Sequence, residues 1–411
     1  MINKRLRSTI LCVILLFSII YPLKFVFFPY LSSRVLMGLL GLAPFFKKNT
    51  QRILNGKSNN IYGILIAITL MSLIALLING TADTTFVTFP ITVILIFSAC
   101  NFTLSLIKRM TGSVTVEKVI YYFVWAVNIQ MFFVVLFLAV PSLKDVLQGI
   151  LTEELRELPE ERTTILSFRV TGFGAAYFGA GVVNSIAVLL SVYQIVRKNF
   201  KDCRFYYLSL ILIFIVGNAL SRTTLVGFII AFTYLVFAYP KGFIRSFIKT
   251  SPLIVILLVF AIPKINLSDD MEQQARFAFE IFYNYFEEGS LETGSSNDLL
   301  NSYSIQPTGL KTWIIGDGRF VGNTGETTYM ETDSGFMRLI FYFGVIGLFL
   351  MVLFHYRMGK IMDIVLNDKT LSLLFLIMFL ASNFKGWNLF AVYYGLFMFL
   401  PRECKDKIIY E

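Results

Sequence analysis

Long apolar runs recur from one end of this chain to the other, separated by short polar stretches. Runs of about 17–25 apolar residues are long enough to cross a bilayer. They lack the period-two alternation of barrel strands, so they predict helices. The pattern predicts about twelve spans: Ser8–Phe28, Leu31–Phe46, Ile61–Ile78, Phe86–Ile107, Val119–Val140, Gly172–Ile195, Phe205–Leu220, Thr223–Tyr239, Pro252–Ile262, Gly335–Phe354, Leu371–Ala381 and Leu389–Leu400. The fold class that follows is an all-α, polytopic integral membrane protein. Its organisation is a bundle over 1–263 with an acidic outer loop near 141–168, a large outer loop over 264–333, and three further spans with a tail over 334–411.

Composition agrees: 56% of residues are hydrophobic and 15% charged, against roughly 25% charged in a soluble domain. The net charge of +10 could point to nucleic acid, but the placement of the cations argues otherwise. Lys47, Lys48, Arg52 and Lys57, then Lys108 and Arg109, then Arg197 to Arg204, Lys241 to Lys249, Arg357 and Lys360, and Arg402 to Lys407 all sit in alternate loops. The positive-inside rule makes those loops cytoplasmic and both termini cytoplasmic. The expected location is the bacterial cytoplasmic (inner) membrane, with no nucleic-acid partner. The basic head Lys4, Arg5 and Arg7 runs into Tyr21-Pro22-Leu23-Lys24 rather than a small-residue cleavage site, so an uncleaved first span is expected. Cys12, Cys100, Cys203 and Cys404 form neither a disulfide framework nor a metal spacing.

The longer polar stretches are acidic. Glu153 to Glu161 predicts a short helix outside the bilayer, and Phe277, Phe279, Ile281, Phe282 and Tyr285 have helical spacing within the large loop. The positive-inside rule leaves several cations unexplained. Arg169, Arg222, Arg338 and Lys385 stand at the outer ends of spans, and Arg276 and Arg319 lie in the large loop. Arginine forks grip phosphate oxygens in pairs and stay charged at any accessible pH, so together these suit a bound diphosphate. Singly, each could snorkel to the interface or pair with a carboxylate.

Ser221-Arg222-Thr223 joins two spans in a tight hairpin, where Ser221 could cap the second. Asp333 or Ser334 is the expected N-cap of the span opening at Gly335, and Gly316-Asp317-Gly318-Arg319 reads as a tight turn. The spacing of Glu331 and Asp333 could hold a divalent metal, but capping accounts for it, so neither metal nor cofactor is expected. The one histidine, His355, falls at the cytoplasmic end of its span, which excludes histidine-based chemistry on the outer face.

At these residues the chain resembles the O-antigen polymerase (Wzy-type) family, within the wider O-antigen polymerase and ligase superfamily. Arg169-Val-Thr-Gly172-Phe173-Gly174, Ser221-Arg222-Thr223, Gly316-Asp317-Gly318, and Thr332-Asp333-Ser334-Gly335 with Arg338, Gly344 and Gly347 carry the resemblance. It covers roughly Arg169 to Gly347; the first half matches in hydropathy only. The resemblance implies a GT-C-like membrane glycosyltransferase that moves a growing glycan from polyprenyl diphosphate to a new lipid-linked repeat. It implies lipid-linked oligosaccharide substrates, membrane lipids, and a chain-length regulator and flippase of the same pathway as partners. Arg169, Arg222 and Arg338 are then the expected diphosphate ligands, with Arg276 and Arg319 beside them. Asp333 is the expected base or Arg-orienting carboxylate, and Glu331 and Asp317 are the other carboxylates available. A ligase would be expected to use a histidine in the large loop, which has none. A flippase would be expected to show two similar halves with charge along a central cavity.

Overall fold

The computed structural model describes residues 2–47, 50, 53–54, 60–152, 170–174, 177–240, 273, 276–290, 292–322, 328–366 and 369–400. In chain order the helices are α1 Ile2–Ile20, α2 Ser33–Leu40, α3 Leu42–Phe45, α4 Ile61–Asn79, α5 Phe89–Thr111, α6 Val116–Ala139, α7 Pro141–Gly149, α8 Tyr177–Arg197, α9 Arg204–Leu220, α10 Thr224–Ala238, α11 Glu280–Glu288, α12 Gly294–Ser304, α13 Leu310–Ile314, α14 Gly335–Leu366, α15 Lys369–Lys385 and α16 Ala391–Met398. Among the described residues there is no strand, only isolated bridges such as Phe25 with Phe28 and Val321 with Thr328. Five helices, α4, α5, α6, α8 and α14, are long and apolar enough to cross a membrane, and α9 and α10 are shorter apolar helices.

The expected twelve spans do not map one to one onto these helices. Leu31–Phe46 forms the short α2 and α3. Eight residues rise about 12 Å, too little for a hydrocarbon core of roughly 30 Å. Gly38 and Gly41 explain the interruption: a Cβ on either would strike the α5 backbone at Leu95 or Ser98. The span expected over Leu389–Leu400 contains an eight-residue helix. The span expected over Pro252–Ile262 and the acidic segment Glu153–Glu161 lie outside the described residues.

Two compact units emerge, Met1–Phe123 with Glu292–Glu411, and Val124–Leu291. One division falls inside the stretch 264–333, so its two parts belong to different units.

In the first unit, Arg34 on α2 donates from Nε to Ile19 O at 2.6 Å and from Nη2 to Ile20 O at 2.9 Å. It thereby satisfies carbonyls that the end of α1 leaves open. This cation was not anticipated from the sequence, and its capping role explains its place away from the basic loops. The longest helix, α14, breaks at Phe343–Gly344, where Gly344 has φ 69° and ψ −174°. That conformation is essentially reserved for glycine. The turn after α13 fills the break. Asp317 N donates to Phe341 O at 2.6 Å and Gly318 N to Tyr342 O at 3.0 Å, so carbonyls beside the break keep partners.

The fit is tight on both sides. A Cβ on Gly344 would overlap the backbone of Ile314, and one on Gly316 the backbone of Tyr342. The end of α4 closes the wedge: Asn79 Nδ2 donates to Gly316 O at 3.0 Å and Thr81 Oγ1 to Gly318 O at 2.9 Å. Lys311 Nζ donates to Asn79 Oδ1.

In the second unit, α8 and α10 approach closely, with Gly227 against the Ser185 backbone. Small residues allow such contact between membrane helices. The α9 helix carries a π segment at Ile213–Gly217. Thr224 Oγ1 takes up the Gly217 carbonyl at 3.0 Å.

Gly344→Ala should destabilise the protein by more than about 2 kcal/mol, because a left-handed backbone and a backbone overlap are penalised together. Gly149→Ala, where an added Cβ meets nothing, should leave the unfolding midpoint in detergent unchanged. Equal midpoints for the two variants would show that the break in α14 needs no glycine.

Candidate functional site

The expected arginines that the structure describes fall in both units, Arg319 and Arg338 in the first and Arg222 and Arg276 in the second. In the first unit, α14 begins on a cap made by Ser334, whose Oγ accepts from Met337 N at 3.3 Å. Of the two candidate caps, Ser334 therefore makes this bond. Asp333 is exposed, and its backbone N donates to Ser302 Oγ at 3.4 Å. The preceding Thr332 is buried and donates to Ser302 O. These bonds hold the start of α14 against α12. Gly335 packs on the backbone of Asn383 and Gly386.

One turn into α14, the Arg338 guanidinium lies 3.9 Å above the centre of the Phe320 ring. Asp333 is near enough to act on it electrostatically. The Arg338 Nε is buried and has no hydrogen-bond partner among the described residues. Leaving a buried donor open is costly, so an unpaired one calls for an explanation.

Phe320 is buried and meets Phe86 at 5.2 Å, Trp387 at 6.3 Å and Tyr342 at 6.4 Å between ring centres. Its backbone is held by Asp83, a residue the sequence gave no reason to single out. Asp83 Oδ2 accepts from Phe320 N at 2.7 Å and Val321 N at 3.2 Å, while Oδ1 accepts from Thr85 N and Thr85 Oγ1. The Asp83 carbonyl accepts from Tyr342 Oη at 2.7 Å. Burial alone would raise the Asp83 pKa. The bonds from the Thr85 hydroxyl and the backbone N–H groups of Phe320, Thr85 and Val321 outweigh it and lower the value. The residues joined are 237 positions apart, so no local signal could have paired them.

Asp317 is engaged: Thr312 Oγ1 donates to Oδ1 at 2.7 Å and Tyr329 Oη to Oδ2 at 3.4 Å. Burial raises the Tyr329 pKa and the Asp317 charge raises it further, which keeps the phenol as the donor. Glu331 is exposed with φ 53°. Arg319 is half-buried beside Phe320, and Lys385 ends α15. The loop aromatics pack on the bundle. Tyr303 stacks on Phe384 at 4.7 Å, and Tyr303, Trp313 and Tyr329 lie against Met337, Ile340 and Phe341.

In the second unit, Ser221-Arg222-Thr223 forms the link between α9 and α10. Ser221 does not cap α10: Thr223 holds the N-cap position, without a side-chain cap bond. Ser221 is instead an extended residue packed on Gly181. Arg222 pairs with Glu280 at the start of α11, and its guanidinium lies 4.5 Å from the centre of the Phe277 ring. At this hairpin the buried atoms Asn184 Oδ1, Asn218 Oδ1 and Thr223 Oγ1 have no hydrogen-bond partner among the described residues. Arg276 pairs with Glu287 at 2.9 Å and is nearly half exposed. Gly172 sits against the Gln130 amide, which in its better orientation bonds both the N–H and the C=O of Phe173. Arg169 lies outside the described residues.

Asp83→Ala should cost about 1–3 kcal/mol, since two partly buried backbone donors lose their charged acceptor. A carboxylate with a lowered pKa stabilises above its unfolded value and loses that contribution as pH falls through its folded value. The stability gap between wild type and Asp83→Asn should therefore be full at pH 7 and close below about pH 4. A gap independent of pH in detergent melts would remove the charge from this account.

No family model, no curated protein and no solved structure matches the chain, so its own residues carry the functional reading.

Proposed function

We propose that this protein polymerises lipid-linked glycan repeats on the outer face of a bacterial cytoplasmic membrane, as a GT-C-like glycosyltransferase. The observation that carries the reading is Arg338, a cation at the start of a membrane-length helix whose buried Nε is unpaired among the described residues. A phosphate oxygen supplies the missing acceptor. Such a charge in an apolar wall is expensive and by default functional.

In the proposed reaction a hydroxyl oxygen of the acceptor repeat attacks the anomeric carbon of the donor glycan. The bond from that carbon to the diphosphate oxygen breaks, and the polyprenyl diphosphate leaves with the electron pair. The hydroxyl proton passes to a carboxylate, for which Asp333, exposed near the start of α14, is the candidate. Preorganised positive charge supplies most of what a departing diphosphate needs, and arginine forks deliver it. Arg222, in the other unit, is a proposed diphosphate ligand on the resemblance alone. It is engaged by Glu280, so the lipid diphosphate competes with that carboxylate. Arg169, Arg276 and Arg319 remain proposed contributors. No reading of the site requires a metal or a cofactor.

Cells lacking the gene should display single repeats in place of a glycan ladder. Full-length polymer stranded on its lipid carrier would instead make the protein a ligase, and repeats trapped on the inner face would make it a flippase. Arg338→Lys and Arg222→Ala should both lose the ladder at unchanged membrane abundance. Glu280→Gln should lower the concentration of lipid-linked repeat needed for half-maximal polymerisation, by freeing Arg222 from its partner.

A further inference from the structure

At the other end of α14 from Arg338 lies a second set of polar groups with unused bonding capacity. Asp363 is 25 residues beyond Arg338 on a helix that rises roughly 1.5 Å per residue, so the two stand about 35–40 Å apart along it. That is close to the thickness of a bilayer with its headgroups. A cavity of about 200 Å³ opens there between α14 and α15, lined by Tyr356, Lys360, Asp363, Lys369, Ser372 and Leu373.

The Oδ1 atom of Asp363 is buried and has no hydrogen-bond partner among the described residues. Neither lysine of the cavity supplies one. His355, Gly359 and Asp363 recur every fourth residue and so share one face of α14. Deeper on this face, Tyr394 of α16 packs at the Gly359 position. The Tyr394 hydroxyl and His355 Nε2 are likewise buried and unpartnered. At the mouth, Tyr356 and Leu373 are exposed apolar surface, and Ile364 and Ile377 extend it.

We infer that this cavity binds the headgroup of an anionic phospholipid whose phosphodiester is joined to a hydroxyl-bearing group, as in phosphatidylglycerol. The chemistry of the lining selects it. Lys360 and Lys369 are donors only and match the phosphodiester oxygens. Asp363 is an acceptor only and matches a hydroxyl of the headgroup. Two cations and one anion leave the site with a charge of plus one, which one phosphodiester neutralises; a zwitterionic headgroup does not. The exposed Leu373 and Tyr356 lie where acyl chains leave the headgroup. The site is independent of the proposed polymerase reading.

The test uses the full chain in nanodiscs of phosphatidylcholine, with added lipid bound in competition and counted by native mass spectrometry. Phosphatidylglycerol should bind better than phosphatidylmethanol, which has the same charge and acyl chains but no hydroxyl. The loss of one hydrogen bond to a carboxylate predicts a difference of about tenfold. Asp363→Ala should erase that difference while leaving binding of both lipids above that of phosphatidylcholine. Lys360→Gln with Lys369→Gln should erase the preference for anionic lipid.

Equal binding of the two anionic lipids to the wild type would overturn the inference. So would a preference that survives Asp363→Ala. Full displacement of phosphatidylglycerol by millimolar glycerophosphoglycerol would show that the site takes a soluble phosphodiester, overturning the assignment to lipid. Unchanged melting of each variant in phosphatidylcholine alone separates loss of the site from loss of the fold.

Discussion

The turn Gly316–Gly318 lodged in the break of α14 is the contact on which the rest of the first unit depends. Inside a membrane an interrupted helix needs other partners for its backbone groups. Here the wedge supplies them, through Asp317 N and Gly318 N. The same turn is tied to α4 through Asn79 and Thr81. One short stretch thus joins two membrane-length helices. It also fixes the start of the segment that carries Phe320, and so the ring beneath Arg338.

This arrangement explains how a charged site can be held firmly at the edge of an apolar bundle. The ring of Phe320 fills an aromatic wall with Phe86, Tyr342 and Trp387, while its backbone is pinned by Asp83. Arg338 then faces a rigid π surface with its Nε still open. Arg222 is held differently, by a carboxylate and a ring from one segment near α11. Both side chains of the pair are largely buried, so removing the carboxylate without another acceptor for Arg222 would be costly. Near that hairpin the amide oxygens of Asn184 and Asn218 and the Thr223 hydroxyl are buried without hydrogen-bond partners among the described residues, while both amide nitrogens donate.

Much of the fold was legible in the sequence because the bilayer imposes a simple length rule. Ile61–Ile78, Val119–Val140 and Thr223–Tyr239 lie within a residue or a few of the helices observed. The rule failed where glycine permits close packing. Leu31–Phe46 is apolar enough to suggest a crossing, but Gly38 and Gly41 let α5 press against it and the helix is interrupted. Tyr303, Trp313 and Tyr329 pack, because the apolar face of α14 needs cover.

The sequence by itself determined that the chain is helical, that its helices are apolar enough for a membrane, and which arginines lack a topological reason to be where they are. These properties follow from local hydropathy and from the cost of charge near hydrocarbon, which any stretch of sequence displays. Tertiary structure alone decided that Asp83 serves Phe320 and that Gly344 breaks α14 to admit a loop. It also decided that Asp363 faces a cavity. Each of these depends on groups far apart in the chain or on backbone geometry between them, and hydropathy carries no record of either.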